Sequence, residues 1–304
     1  MKIGLWSDSH NFPSLPLMKI SAYHKWRGDS VSLYSPMERY DVVYASKVFS
    51  FTLDIDAEYA VNADALYKGG TGYCITEIDG KEIFDESRNV PFMDEVEHIY
   101  PDYSLYPQYN YATGFLTRGC PRACGFCVVA TKEGRCSRQV AELSEFWNGQ
   151  REIKLLDPNL LACKEHENIL KSLAESKASV DFTQGLDIRL TNPDNIALLN
   201  AIKTSMVHFA WDDPKDDLTD YFKQFAKFTS IKSDRNRSVY VLTNYNSTID
   251  EDLYRIYTLR DLGFTPYVMI YRKESAPHEI RRLQRWCNSR WVFRSCDNFK
   301  DYKG

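Results

Sequence analysis

The sequence predicts a parallel α/β fold, on three observations. From about residue 110 onward, short apolar segments of strand length alternate with longer stretches of helix length, the pattern of consecutive βα units. The first 98 residues repeat that alternation on a smaller scale. The 304-residue length accommodates two domains of ordinary size with a substantial core.

Taken in order, strands are expected over residues 2–7, 30–34 and 40–45 of the first domain, with a helix over 16–26. A connector over 99–112 carries Tyr100, Tyr103, Tyr106, Tyr109 and Tyr111 together with Pro101 and Pro107. It is too aromatic for a flexible linker and is expected to be ordered. In the second domain, 113–304, strands are expected over 113–117, 152–156, 179–183, 206–211, 239–243 and 266–271. Helices are expected over 163–176, 194–203, 218–228 and 250–262, the last with an acidic start and Gly263 as its stop.

A formal net charge of −4 does not describe a protein that coats nucleic acid. One stretch, 272–294, is locally basic (Arg272, Lys273, Arg281, Arg282, Arg285, Arg290, Arg294) and interleaved with Trp286, Trp291 and Phe293. The reading adopted is a terminal helix that packs Leu283 and Trp286 and holds its arginines in water. No segment has the apolar length of a membrane span or signal peptide, so a cytoplasmic protein with no membrane partner is expected.

The chemistry concentrates in one loop. Cys120, Cys124 and Cys127 give the spacing C-x3-C-x2-C. Three thiolates on a tight loop can hold three irons of a cubane cluster and leave the fourth open to a small molecule. Soft thiolates select such clusters. Gly119 and Gly125 permit a tight backbone, Pro121 stiffens it, and Phe126 could lie against a nucleobase. Two alternatives stay open: a zinc site or a closed cluster with Cys136 as fourth ligand, in either case a non-catalytic protein. The other cysteines, 74, 163, 287 and 296, read as small buried or indifferent residues.

The loop resembles that of the radical S-adenosylmethionine (radical SAM) enzymes, in which an aromatic residue precedes the last cysteine. That resemblance implies a partial (β/α)6 barrel of the TIM type over 113–304 and a 4Fe-4S cluster on the three cysteines. It also implies S-adenosylmethionine (SAM) on the open iron, reductive cleavage to a 5'-deoxyadenosyl radical, and an external electron donor of flavodoxin or ferredoxin type. In such barrels ligands collect at the carboxyl ends of strands. Arg189 is then the candidate for the SAM carboxylate, and Gln184, Asp187 and Asn159 for ribose or amino contacts. Asp157-Pro158-Asn159 replaces the Gly-Gly-Glu triplet often found after the second strand.

The first domain is similar, more weakly, to the Rossmann-like domain of cobalamin-binding radical SAM proteins and of the tRNA methylthiotransferases. Asp8-Ser9-His10 matches part of a D-x-H-x-x-G cobalt-ligating motif, and Gly69-Gly70-Thr71-Gly72-Tyr73 matches its later glycines. Pro13 stands at the motif's glycine and offers neither backbone freedom nor an N–H, so no cobalamin is expected. The whole arrangement is similar to uncharacterised bacterial and phage radical SAM proteins. The substrate is open, with nucleic acid as one class among peptides and small molecules.

Overall fold

A computed structural model describes residues 1–9, 11–78, 81–90 and 93–304. The chain divides into two compact units: Met1–Gly114 with Arg122–Arg135 and Ala141–Gln150, and Phe115–Pro121 with Cys136–Val140 and Arg151–Gly304.

The first unit is built on four strands, β1 (Lys2–Ser7), β2 (Ser30–Leu33), β3 (Tyr40–Ser46) and β4 (Ala63–Gly69), paired in parallel in the order β2-β1-β3-β4. Helix α1 (Leu15–Trp26), with Pro16 in its first turn, connects β1 to β2. Its Leu17, Met18 and Ile20 are buried, as are Ile3 and Leu5 of β1. A second cluster joins Trp6, Tyr40, Val43, Ala45, Ile55 and Tyr73. Strand β4 was not expected, because Asp64 and Lys68 interrupt its apolar residues.

Short elements complete the unit: α2 (Ile55–Glu58), α3 (Thr71–Cys74), the antiparallel pair β5 (Ile75–Ile78) and β6 (Lys81–Phe84), α4 (Met93–Val96), β7 (Ala112–Gly114) and α5 (Val129–Lys132). The tyrosine-rich connector is fixed by its phenols. Tyr103 Oη donates to Phe146 O at 2.6 Å and accepts from Thr113 N at 3.1 Å. A methyl group on Gly114 would fall 2.4 Å from the Phe146 ring, so this strand approaches the ring as only glycine can.

In the second unit, β8 (Thr117–Arg118) pairs antiparallel with β9 (Arg138–Gln139). There follow β10 (Glu152–Leu155), α6 (His166–Ser176), β11 (Ser179–Phe182), α7 (Pro193–Ala201), β12 (Lys203–Ala210), α8 (Thr219–Phe228), β13 (Arg237–Thr243), α9 (Ile249–Asp261), β14 (Thr265–Ile270), α10 (His278–Asn288) and α11 (Arg290–Ser295). Within this unit the larger sheet runs β14-β13-β12-β11-β10, with all neighbours paired in parallel. Because neighbours in sequence are neighbours in space, right-handed crossovers place the helices on one face.

The strands alternate accordingly. Ile153, Leu155, Val180, Phe182, Val207, Phe209, Val239, Val241 and Val268 are buried. Phe209 meets Phe225 of α8 at 4.8 Å between ring centroids, and Phe222 meets Phe264 at 5.0 Å. Each such ring contributes roughly 1.5–3 kcal/mol through burial. Helix α9 begins with a capping box between Thr248 and Glu251 and stops before Gly263 at φ +76°.

Two expectations need adjustment. The strand expected over 113–117 breaks after Gly114, and Thr117–Arg118 turns to β9, because Leu116 N and Thr117 N donate to Asp157 instead of extending the ladder. The basic stretch does form a helix with Leu283 and Trp286 fully buried. Its Arg282, however, is not left in water. It donates to Phe299 O (3.2 Å) and Tyr302 O (2.7 Å) and holds the carboxyl-terminal turn.

Candidate functional site

The cysteine loop grows out of β8, and its base is set by one carboxylate. Asp157, buried just beyond β10, accepts from Leu116 N (3.1 Å), Thr117 Oγ1 (2.7 Å) and Thr117 N. Burial pushes its carboxyl up to about 6, and the donors on Thr117 and Leu116 act against that rise. Two residues on, Asn159 is 3% exposed and directs Nδ2 to Cys120 Sγ at 3.5 Å, while its Oδ1 is buried without a hydrogen-bond partner. Ser137 Oγ donates to Asn159 O at 2.9 Å and steadies that turn. Asn159, expected at a ribose or amino group, thus lies against the first cysteine.

Gly119 has φ +89° and Ala123, unexpectedly, φ +48°, so the left-handed turn falls on Ala123 while Gly125 is not in that region. Cys127 N donates to Cys124 O at 3.0 Å. All eight cysteines are free thiols. Cys120 belongs to the second unit, Cys124 and Cys127 to the first. Among the described residues, no three His, Cys, Asp or Glu side chains form a group that could hold a metal ion. Cys136, the alternative ligand, is exposed. Cys74, Cys163 and Cys287 are buried, and burial raises each thiol, Cys74 to about 11.

At the carboxyl ends of the strands, Asp187 caps the turn Ile188–Leu190 and accepts from Arg189 Nε at 2.8 Å, while Arg189 Nη1 reaches Asp216 at 2.7 Å. The candidate carboxylate binder is therefore already held by two carboxylates. Their hydrogen bonds raise its pKa against the opposing effect of burial. Gln184 is exposed and Phe126 half-buried. Among these candidates the structure pairs Asp187 with Arg189 and Asn159 with Cys120.

Sequence reasoning missed two constellations. Arg255, on α9 and 1% exposed, donates to Trp211 O (2.6 Å), Asp212 O (3.0 Å) and Leu242 O (2.9 Å) and pairs with the wholly buried Asp252. It ties the carboxyl ends of β12 and β13, beside which burial pushes Asp212 up to about 6. The second lies on the sheet positions that alternate with the apolar core: Lys154, Asp181, His208, Tyr240 and Tyr267, one on each strand from β10 to β14. The signal for it was a polar or aromatic residue recurring at one phase of the alternation in consecutive strands.

In the first unit, Asp8 is turned to the chain after β3, accepting from Val48 N (2.9 Å), Phe49 N (3.1 Å) and Thr52 Oγ1 (2.7 Å). A methyl group on Gly70 would meet Lys47 O at 2.7 Å, and one on Gly72 would meet Phe49 O at 2.6 Å. The bare backbone of these glycines is thus required by residues 47–49. His10 lies outside the described residues.

A scan against protein-family models finds no match, and no curated protein matches the chain. No described helix is long and apolar enough to cross a membrane.

Proposed function

We propose that the chain is a radical SAM enzyme, with Cys120, Cys124 and Cys127 as cluster ligands and the parallel sheet of the second unit as a partial (β/α)6 barrel. The observation that carries the reading is the C-x3-C-x2-C loop itself, together with the Asn159 amide set against its first sulfur. Cys120, Cys124 and Cys127 would hold a 4Fe-4S cluster, which when bound would supply one electron for cleavage of the sulfonium S–C5' bond of SAM to methionine and a 5'-deoxyadenosyl radical able to take hydrogen from substrate. The chain's own residues do the positioning. Asp157 fixes the strand entering the loop. The Asn159 N–H donates to sulfur, which favours the thiolate and tunes the potential of what it binds. The electron comes from an external flavodoxin- or ferredoxin-type donor in the cytoplasm, and the substrate class stays open between nucleic acid, peptide and small molecule.

Anaerobic reconstitution is expected to load about four irons per chain. Cys124→Ser should lose them and Cys136→Ser should keep them. Iron lost from Cys136→Ser but kept by Cys124→Ser would replace this reading with the closed four-ligand site.

Arg189→Ala is expected to weaken SAM binding by about one to two decades in calorimetry, through loss of a charge-assisted contact. An unchanged dissociation constant would confine Arg189 to its pairs with Asp187 and Asp216.

A further inference from the structure

The polar row across β10 to β14 has no part in the chemistry above. Asp181 on β11 and His208 on β12 approach each other at 3.7 Å between Oδ1 and Nε2, beyond hydrogen-bond reach. Asp181 Oδ1 and His208 Nδ1 are both buried without a hydrogen-bond partner. Buried polar side chains that serve only to hold a fold are hydrogen-bonded, so two orphans on neighbouring strands of one face point to a missing partner.

The surroundings specify that partner. The His208 ring stacks flat on Tyr240, 5.1 Å between centroids and 8° between planes, and Tyr240 meets Tyr267 edge-on at 6.0 Å. Tyr240 donates its proton to Thr183 O at 3.1 Å, which leaves its oxygen as an acceptor. Burial pushes His208 down to about 4, so the imidazole is neutral near pH 7. Charged residues on the same face are Glu152, Lys154, Asp181 and, in register with Ser179, Lys203. Burial pushes the Asp181 carboxyl up to about 6, with Lys154 acting against that rise and Glu152 adding to it, and Lys154 lies 3.9 Å from Glu152. A carboxylate oxygen without a partner, beside a neutral imidazole and the rings of Tyr240 and Tyr267, is the chemistry that takes up a cation.

We propose that Asp181, His208, Tyr240 and Tyr267 form a binding site for a compact organic cation, an alkylammonium or alkylguanidinium group, with Asp181 as its counter-ion. The site does not depend on the cysteine loop. It is tested on the protein as purified, without SAM, so failure of cluster loading leaves it standing.

Calorimetric titration with n-butylammonium and with ethylguanidinium is expected to show saturable binding by at least one, the stronger of the two identifying the headgroup. Neutral n-butylurea should give none. Asp181→Asn should weaken the cation by about tenfold or more, whereas Glu152→Gln, which removes the same charge from the same face, should change it by no more than about threefold. No saturable binding by either cation, or equal losses from the two variants, would overturn the proposal. Should Asp181→Asn fail to fold, the His208 imidazole resonances of the unaltered protein supply the readout. They are expected to shift on cation titration, and their constancy would equally overturn it.

Discussion

Replacing Arg255 by alanine is expected to destabilise the protein by about 3–5 kcal/mol. The guanidinium bridges three carbonyls, Trp211 O, Asp212 O and Leu242 O, and is the counter-ion of Asp252, which has no exposure to water. Alanine would leave an uncompensated buried carboxylate and three acceptors without their donor. Set against the 5–15 kcal/mol that holds a typical domain folded, that is a large fraction. The attribution can be checked by double substitution: Arg255→Met with Asp252→Leu removes both charges and should recover part of the loss in urea denaturation. A double variant no more stable than Arg255→Ala would show that the carbonyl bonds, and not the stranded charge, dominate.

Asp157→Ala should cost nearly as much, about 2–4 kcal/mol, because Leu116 N, Thr117 N and Thr117 Oγ1 lose their acceptor at a place where Leu116 and Thr117 are buried. Asp157→Asn should fall between the two. Its amide presents one acceptor, but its NH2 has no acceptor among those three donors. The consequence reaches the loop, since the strand that Asp157 fixes leads directly to Cys120. Loss of iron retention in Asp157→Ala at temperatures where the variant remains folded is the expected result. Full retention would mean that the loop holds its shape without the strand beneath it.

The difference between Asp157 and Arg255 shows what the sequence makes legible. Strands β10 to β14 stand out because their apolar residues alternate and helical stretches separate them, so helix α9 could be placed to within one residue from its acidic start and Gly263. Asp157 was visible as a polar residue at a strand end, although its acceptor role was not, because its partners lie 40 and 41 residues earlier. Arg255 looked like one more charge on a helix rich in charge. Only the tertiary fold puts it between the ends of two strands. The same holds for Asp181 and His208, each a single polar residue in a short apolar run. Strand β4 escapes notice for the opposite reason: Leu66 sits at the phase of Asp64 and Lys68, so polar and apolar residues do not alternate cleanly. The spacing of the cysteine loop is legible because it lies within eight residues, whereas the left-handed turn at Ala123 is not, since no residue type there calls for it.

Reductive SAM chemistry at the cysteine loop is tested most directly by one measurement. Anaerobically reconstituted, chemically reduced protein incubated with SAM should form 5'-deoxyadenosine and methionine in equal amounts, and the Cys124→Ser variant should form neither. Full iron loading with intact SAM after reduction, and no change in the cluster's spectrum when SAM is added, would contradict it and leave a closed iron–sulfur protein in its place.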